Sequence, residues 1–96
     1  MRNYEIAYIA DPDLDEASLT ALEEKVQAWV TAEGGSVTKV DRWGRRKLAY
    51  PLRKRTDGHY VFIFAALPPR AGVNIERSLR LSEQVLRFLI TAQDEA

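Results

Sequence analysis

Residues 36–67 read SVTKVDRWGRRKLAYPLRKRTDGHYVFIFAAL, and this stretch decides the fold. Its first part, residues 36–52, carries apolar side chains spaced along one long strand. Its last part, residues 59–67, is almost entirely apolar and rich in β-branched and aromatic side chains, which is typical of a strand. We expect residues 54–58 to form the turn, with the Asp-Gly pair that ends this segment at its tip. The stretch therefore predicts a β-hairpin.

Two residues interrupt the first strand of this hairpin. Gly44 lies near its middle and predicts a bulge or a bend, because glycine weakens a regular ladder. Pro51 lies near its end and has no N–H to donate, which indicates an edge strand or a local break in pairing.

A strand and a helix precede the hairpin. Residues 3–10 alternate with the period of a strand, and the set that we assign to the core is Tyr4, Ile6, Tyr8 and Ala10. From residue 15 or 16 to about residue 33, apolar side chains recur at spacings of three and four, which predicts an amphipathic helix. Asp13 or Asp15 is its expected N-cap, and the glycine pair at 34–35 is its expected end.

A second helix and a fourth strand follow the hairpin. Two prolines at 68–69 end the hairpin, and residues 73–81 predict a helix with Ile75 and Leu79 facing inward. We also assign Val73 to the inward side, and the outward side receives Arg77 and Arg80. Residues 85–92 predict the last strand.

The predicted order is therefore β-α-β-β-α-β in a single domain, residues 1–96. Right-handed crossovers place both helices on one face of a four-stranded antiparallel sheet. The predicted fold class is α+β, a ferredoxin-like split β-α-β sandwich. The other face of the sheet then has no helix to cover it, and we call it the open face. Its expected members are Glu5, Ala7, Ile9, Tyr60, Phe62, Phe64, Arg87 and Leu89.

The aromatic row on the open face predicts an interface. A contiguous apolar patch of this kind usually marks a binding surface, and no segment of the chain is long enough to cover it well. We favour contact with a protein. The alternative is the stacking of RNA bases on the aromatic side chains, although the third strand lacks the usual Gly-Phe-Gly-Phe order of RNA-recognition modules.

Charge is distributed unevenly, although 14 basic residues balance 14 acidic ones. Residues 1–33 hold two basic and eight acidic side chains, a balance of −6, whereas residues 34–55 hold eight basic side chains and one acid, a balance of +7. The block at 34–55 is the electrostatic footprint expected for a polyanion, and no matching acids lie inside it. The alternative is that the block is only a solvent-exposed hairpin with long basic side chains and binds no polyanion.

Composition excludes several classes of function. The chain has no cysteine and a single histidine, which excludes disulfides and thiolate sites and makes a zinc site difficult to build. No apolar run approaches the ~20 residues of a membrane helix, and no apolar stretch follows the N-terminus, so we expect a cytoplasmic protein without a secretory signal.

The segment WGRRKLAYPLRK, residues 43–54, is the most informative motif. Guanidinium groups match phosphate oxygens in bidentate geometry, and lysines add charge. Trp43 and Tyr50 are candidates to pack on sugars, bases or a protein partner. The segment resembles the signature of the bacterial small-subunit ribosomal protein six family. The positions that carry the resemblance are Trp43, Gly44, Arg46, the run Leu48 to Leu52, Lys54 and Gly58.

The resemblance extends over almost the whole chain, in order and without large gaps. It includes Arg2, Tyr4 and Glu5 at the start, residues 12–14, the glycine pair at 34–35, and residues 76–87 with small gaps. The family has the ferredoxin-like fold that the periodicity predicts independently.

The resemblance implies a structural role, with no catalytic residues, cofactor, metal, small-molecule substrate or membrane contact. Members of the family form a heterodimer with small-subunit ribosomal protein eighteen, and the pair binds the central domain of the small-subunit ribosomal RNA during assembly of the platform. On this chain the implied RNA-binding residues are Arg2, Tyr4, Arg45, Arg46, Lys47, Arg53, Lys54, Arg80 and Arg87. The implied protein-partner residues are Leu48, Tyr50, Pro51, Tyr60, Phe62 and Phe64. How the two kinds of contact divide among these residues is left open, and Tyr4 is also a candidate for the core.

Two departures from the family pattern concern His59 and the C-terminus. His59 stands where many members have an aromatic residue, which we expect to make the hairpin tip less apolar. The chain ends at Asp94-Glu95-Ala96, whereas some members carry a longer acidic tail that is modified by added glutamates, so we do not expect that modification here.

A catalytic alternative is an acylphosphatase-like enzyme on the same fold. Such an enzyme needs a phosphate-binding loop with an arginine after the first strand, but here residues 11–13 read Asp-Pro-Asp and repel phosphate. Arg2 is at the wrong end of that strand, and His59 has no evident nucleophile beside it. The acids between residues 11 and 16 lack the glycine and the distal glutamate of a calcium loop, and the start of a helix explains them.

Overall fold

The sheet has the strand order β2-β3-β1-β4, with antiparallel pairing throughout. A computed structural model describes residues 1–93 of the chain. The elements are β1 (Arg2–Ala10), α1 (Glu16–Ala32), β2 (Ser36–Leu52), β3 (Arg55–Leu67), α2 (Ala71–Leu81) and β4 (Val85–Ala92). The predicted order and fold class are confirmed. The acidic C-terminal residues 94–96 lie outside the described residues.

The core lies between the helices and one face of the sheet. Alternate residues of β1 and β3 point toward the helices because successive side chains of a strand face opposite sides. The fully buried core comprises Ile6, Tyr8, Ala10, Leu19, Leu22, Val26, Val30, Val61, Ile63, Ala65, Leu67, Ala71, Ile75, Leu79 and Val85. Tyr4 is half-buried and packs against this cluster, on the side that its strand period predicts.

Local capping explains where α1 begins and ends. Asp15 is its N-cap, and its carboxylate accepts a hydrogen bond from the Ser18 amide at 2.8 Å. At the other end Gly34 has a φ of 84°, a conformation that glycine adopts without strain. The Gly35 amide bonds to the Val30 carbonyl at 3.0 Å and the Gly34 amide bonds to Thr31 at 2.9 Å, which is the pairing of a Schellman motif.

The predicted turn at 54–58 is wrong. The strands are joined by Arg53 and Lys54, which have φ values of 49° and 66°, and Leu52 pairs with Arg55. A two-residue loop with positive φ at both positions matches the twist of the flanking strands. Gly58 belongs to β3, where a Cβ atom would lie 2.4 Å from the Ile9 side chain. This glycine is required by packing, not by a turn.

The second helix also differs in detail. α2 begins at Ala71, two residues earlier than predicted, and Val73 is 58% exposed instead of inward. Ala71, Ile75 and Leu79 form the buried stripe because they recur every four residues along one face. The outward assignment of Arg77 and Arg80 is confirmed.

β2 is an edge strand with three irregularities, of which Gly44 and Pro51 predicted the second and the third. The register shifts between Val37 and Lys39, between Arg42 and Gly44, and between Lys47 and Leu52. At the third shift, residues 48–51 lie opposite the single residue Thr56. Residues 48–51 therefore leave the ladder, and Pro51 lies where no ladder hydrogen bond is needed.

Candidate nucleic-acid and protein interface

The far end of the hairpin lies over one corner of the open face. The β1 ladder ends where Ala10 pairs with His59, so the hairpin continues beyond it. The hydroxyl of Tyr50 accepts a hydrogen bond from Arg87 on β4. Together with Ile9 and Tyr60, these residues surround a concavity of about 210 Å³ that Leu48, Ala49 and Leu52 also line. The expectation that no segment covers the open face is therefore wrong at this corner.

Two further contacts hold the hairpin end to neighbouring loops. Arg53 donates to the Glu83 carbonyl oxygen at 3.3 Å, in the connection between α2 and β4. Arg55 lies 3.2 Å from the carboxylates of Asp11 and Asp13, in the connection between β1 and α1. Exposed ion pairs such as those of Arg55 contribute up to about 1 kcal/mol each, so these contacts add little to stability.

Three basic residues of the 34–55 block are neutralised by acids from elsewhere in the chain. Arg42 binds Glu23 at 3.0 Å and also binds Glu16, both on α1. Arg45 binds Asp57 on β3. The hydrogen bond that Arg42 donates to Glu16 raises the pKa of Arg42, and the hydrogen bond that Arg45 donates to Asp57 raises the pKa of Arg45.

The third neutralised residue is Arg55, through the Asp11 and Asp13 contacts just described. Sequence reasoning found no compensating acid inside the block because these partners lie outside residues 34–55. The structure therefore reduces the charge that the block presents to a partner.

Besides Arg53, whose partner is the uncharged Glu83 carbonyl oxygen, four basic side chains of the block keep their charge uncompensated. Within residues 1–93, no ion pair is formed by Lys39, Arg46, Lys47 or Lys54. All four side chains are exposed. Directly opposite residues of a ladder share a face, so the Arg46–Gly58 pairing puts Arg46 on the open side and the Lys47–Asp57 pairing puts Lys47 on the other. The charge therefore wraps around the hairpin.

The open face is apolar and bears cations at its margin. The rings of Trp43 and Phe62 pack with their centroids 4.6 Å apart. The ammonium of Lys39 lies 5.7 Å from the centre of the Phe64 ring. A shallow concavity of about 140 Å³ runs between β3, β1 and β4, and Leu89 on its border is 65% exposed.

Some predicted RNA-binding residues are gathered at one end of the molecule, and others are not. This end of the molecule holds Arg45, Arg46, Lys47, Arg53 and Lys54 of the hairpin, and Arg87 of β4 contacts the hairpin through Tyr50. Arg2 lies at the opposite end of β1, paired with Leu67. Arg80 lies on α2, 3.5 Å from Glu76 and 5.8 Å from the Phe88 ring. Tyr4 packs on the helix side against the core.

The predicted protein-partner residues form a more continuous surface. Leu48 and Tyr50 face Tyr60 across the concavity of about 210 Å³ at the hairpin end, and Phe62 continues the row along β3. Pro51 lies in the segment that leaves the ladder, and Phe64 lies beyond Phe62 beside Lys39.

Sequence reasoning did not place Trp43 and Lys39 on the open face. Bulges in β2 turn both toward this face, since the register shifts next to each of them. The only signal in the sequence was Gly44, which marks the bulge at Trp43 but not the direction in which the indole leaves the strand.

His59 does not lie at the hairpin tip, contrary to the expectation. It pairs with Ala10 inside the sheet, and its Nε2 atom is buried without a hydrogen-bond partner among residues 1–93. The hydroxyl of Tyr8 is likewise buried and unpartnered in this range, and burial raises the pKa of Tyr8.

No group of three or more His, Cys, Asp or Glu side chains among residues 1–93 is arranged to hold a metal ion. Neither helix in this range is long and apolar enough to cross a membrane.

Comparisons with known proteins agree on one family. A family model described as Ribosomal protein S6 matches residues 3–92. The small ribosomal subunit protein bS6 of Moorella thermoacetica is 41% identical over 95 residues, which cover 99% of this chain and 97% of the relative. That of Bifidobacterium longum is 45% identical over 87 residues, which cover 91% and 90%. The crystal structure of 30S ribosomal protein S6 from Thermotoga maritima superimposes with a TM-score of 0.91 at 27% identity, covering 96% of this chain and 87% of the other.

Proposed function

The chain belongs to the ribosomal protein S6 family, and from this premise we propose that it binds the central domain of the small-subunit ribosomal RNA together with small-subunit ribosomal protein eighteen. It is a structural protein of the small ribosomal subunit, and its location is the ribosome in the cytoplasm. The binding event belongs to assembly of the platform. The protein acts by presenting a surface, without catalysis or a cofactor.

One observation carries the RNA-binding part of this proposal. Arg46, Lys47 and Lys54 are exposed at the far half of the hairpin and have no ion pair within the described residues. Uncompensated cations on a protruding element favour a polyanion, because phosphate contacts release condensed counterions.

Three neighbouring arginines support the same assignment from fixed positions. Arg45 is held by Asp57, Arg53 by the Glu83 carbonyl and Arg87 by Tyr50. A guanidinium has five N–H donors, so each of these arginines keeps donors for a phosphate while one or two of them orient the side chain. Such preorganisation lowers the entropy that binding must offset.

The remaining RNA-binding candidates require a separate RNA segment. Arg2 and Tyr4 lie toward the other end of β1, and Arg80 lies on the helix side of the sheet, where it contacts the Phe88 ring. We propose that they contact RNA that continues around the protein.

The open face supports the protein-partner part of the proposal. Tyr60 and Phe62 form the floor of an apolar concavity, and Leu48 and Tyr50 form a raised border at the hairpin end. A partner that inserts an apolar side chain between floor and border would bury surface that now faces water, at about 25 cal/mol per Å². Arg87 lies between this surface and the basic hairpin, so a bound partner would complete a composite RNA-binding surface.

The experiment is a titration of a labelled central-domain RNA fragment with the purified chain, with and without protein eighteen, across a salt series. We expect weak binding by the chain alone and strong binding by the pair. The double variant Arg46→Gln/Lys54→Gln should reduce the salt slope by about 0.7 to 0.9 for each phosphate that is no longer neutralised. The variant Arg77→Gln, an exposed arginine on α2, is the matched control and should bind as the original chain does.

Two outcomes would overturn the proposal. Nanomolar binding by the chain alone, unchanged by protein eighteen, would mean a stand-alone module in which RNA bases stack on the sheet face, and Phe62→Ala with Phe64→Ala would then abolish binding. No binding by the chain or by the pair would remove the RNA-binding function altogether.

A further inference from the structure

Trp43 occupies an unusual position at the margin of the open face. The bulge between Arg42 and Gly44 leaves Trp43 without a ladder partner on β3. Its ring packs on Phe62 at 4.6 Å with an interplanar angle of 47°, and half of the side chain is exposed. A tryptophan that only fills space would normally be buried more deeply, so this exposed indole needs another explanation.

The indole is held in a fixed orientation. Its N–H donates to the carboxylate of Asp41 at 3.3 Å, and Phe62 supports the ring from the sheet. A ring fixed by a hydrogen bond at its edge and an aromatic contact loses little entropy when a flat ligand stacks on it. The single acid of the block is thus used to orient Trp43.

Cations surround this ring. The guanidinium of Arg46 lies 5.5 Å from the centre of the Trp43 ring, and Lys39 lies over the next aromatic ring of the row, that of Phe64. Neither Arg46 nor Lys39 has an ion pair within residues 1–93. A nucleotide matches both features at once, because its base stacks on an aromatic ring while its phosphate pairs with a guanidinium.

We propose that Trp43 is a stacking platform for an unpaired nucleobase of bound RNA, with Arg46 moving from the ring to the adjacent phosphate. The inference rests on the proposed function, because the hairpin must bring RNA to this margin. An apolar protein segment would cover the indole but leave the charges of Arg46 and Lys39 without partners. The ligand is therefore a nucleobase in single-stranded or looped RNA and not one within a duplex, where both faces are already stacked.

The test uses the variant Trp43→Leu, which keeps an apolar contact for Phe62 and removes the stacking surface. Binding of the central-domain RNA fragment is measured in the presence of saturating protein eighteen, and binding of protein eighteen is measured separately without RNA. We expect about a tenfold loss of RNA affinity and unchanged partner affinity. Trp29→Leu, the same change at the other tryptophan of the chain, is the matched control and should leave both affinities unchanged. Circular dichroism and urea unfolding establish that both variants fold.

A fluorescence titration gives a second readout. In the variant Trp29→Phe, Trp43 is the sole tryptophan, since the chain has two. Protein eighteen is kept at constant concentration, so that its own fluorescence does not change during the titration. Saturation with the RNA fragment should then quench the fluorescence of Trp43, and a blunt RNA duplex should not.

The outcomes separate this inference from the proposed function. RNA affinity unchanged by Trp43→Leu overturns the stacking role while leaving the proposed function intact. Loss of partner affinity in Trp43→Leu, with no separate loss of RNA affinity, assigns the indole to the protein interface and also overturns it. Absence of RNA binding by the original chain with its partner is a failure of the proposed function itself, and the stacking role falls with it.

Discussion

The guanidinium of Arg87 donates a hydrogen bond to the hydroxyl of Tyr50 and lies 5.8 Å from the centre of its ring. Tyr50 belongs to β2 and Arg87 to β4, which are the two edge strands of the sheet. The contact therefore crosses over β3 and β1, above Tyr60 and Ile9. It closes the hairpin end onto the open face without any ladder between the two strands.

The contact between Tyr50 and Arg87 predicts a measurable coupling energy between the two side chains. Tyr50→Phe removes the hydrogen bond and keeps the ring, and we expect it to lower the free energy of unfolding by about 0.5 kcal/mol, because Tyr50 is 54% exposed. Combined with Arg87→Met in a double-mutant cycle, the coupling energy should be about 0.5 to 1 kcal/mol. Urea unfolding of the four proteins measures it. The control combines Tyr50→Phe with Arg77→Met and should give additive losses of stability. Additive losses for Tyr50→Phe and Arg87→Met would mean that the two side chains do not interact.

The sheet was predictable because its alternation is regular where the core forms. Ile6 and Tyr8 on β1, and Val61 and Ile63 on β3, are buried at every second position, so the period identified both the strands and their buried faces. The open face followed from the same alternation.

The position of the hairpin loop was not predictable, because the local sequence favours a turn at residues 57–58 whereas tertiary packing requires Gly58 inside β3. Asp57-Gly58 has the composition of a tight turn, but Gly58 is needed beneath Ile9. Arg53 and Lys54 adopt positive φ instead, at a cost of roughly 1 to 2 kcal/mol per residue. Contacts of the hairpin with distant loops, such as that of Arg53 with Glu83, help to offset this cost.

The basic residues of the hairpin could be identified from the sequence, but the number of them that stay without an ion pair could not. Sequence counting treats every arginine of the block as available, whereas Arg42 is bound by two glutamates of α1. Such pairings depend on the packing of the helix on the sheet. Among the side chains that remain uncompensated within residues 1–93, Lys39 and Arg46 are positioned by the register of β2 and by the aromatic rings that they contact.

The close packing at Gly58 predicts a large effect from a single methyl group. Gly58→Ala would place a Cβ atom 2.4 Å from Ile9 Cγ2 and 3.1 Å from the Ala10 carbonyl oxygen. We expect a loss of about 1 to 3 kcal/mol in the free energy of unfolding, which is typical of overpacking. Gly72→Ala is the matched control, because a Cβ atom there meets nothing within 4 Å and lies on a helix, where alanine is favoured by up to about 1 kcal/mol. Equal stability of the two variants in urea would contradict the assignment of Gly58 to the packed sheet.

The buried hydroxyl of Tyr8 predicts that its removal is tolerated. The hydroxyl has no hydrogen-bond partner within the described part of the chain, so Tyr8→Phe removes a desolvated polar group at no cost in hydrogen bonds. We expect the variant to be as stable as the original chain at neutral pH, or more stable by up to about 1 kcal/mol. If urea unfolding showed Tyr8→Phe to be less stable than the original chain by more than about 1 kcal/mol, the hydroxyl would have to form a hydrogen bond in the folded protein.

The same substitution should change stability at high pH. Burial raises the pKa of Tyr8 above its ordinary value of 10.0, so the unfolded chain releases this proton at lower pH than the folded one. The contribution to stability is present below pH 10.0 and is lost as the pH rises above it. Tyr8→Phe should therefore lose less stability than the original chain over that range. Ile6→Val, a change at a buried residue of the same strand that removes no titratable group, is the control and should lose stability in parallel with the original chain.

The N-cap of α1 predicts the opposite pH dependence in acid. The Ser18 amide and hydroxyl hydrogen-bond the Asp15 carboxylate and lower its pKa below the ordinary value of 3.8. The folded chain therefore holds this carboxylate ionised at a pH where the unfolded chain begins to protonate it, and the contribution to stability is present above pH 3.8 and lost as the pH falls below it.

Asp15→Ala should be less stable than the original chain at neutral pH, because it leaves the Ser18 amide without its acceptor. The difference in urea midpoint should shrink as the solution is acidified through pH 3.8. Glu24→Gln, at an exposed acid of the same helix without an ion pair in the described residues, is the control, and its difference from the original chain should stay small throughout. A difference for Asp15→Ala that stays constant or grows on acidification would mean that the uncharged carboxyl caps the helix as well as the carboxylate does.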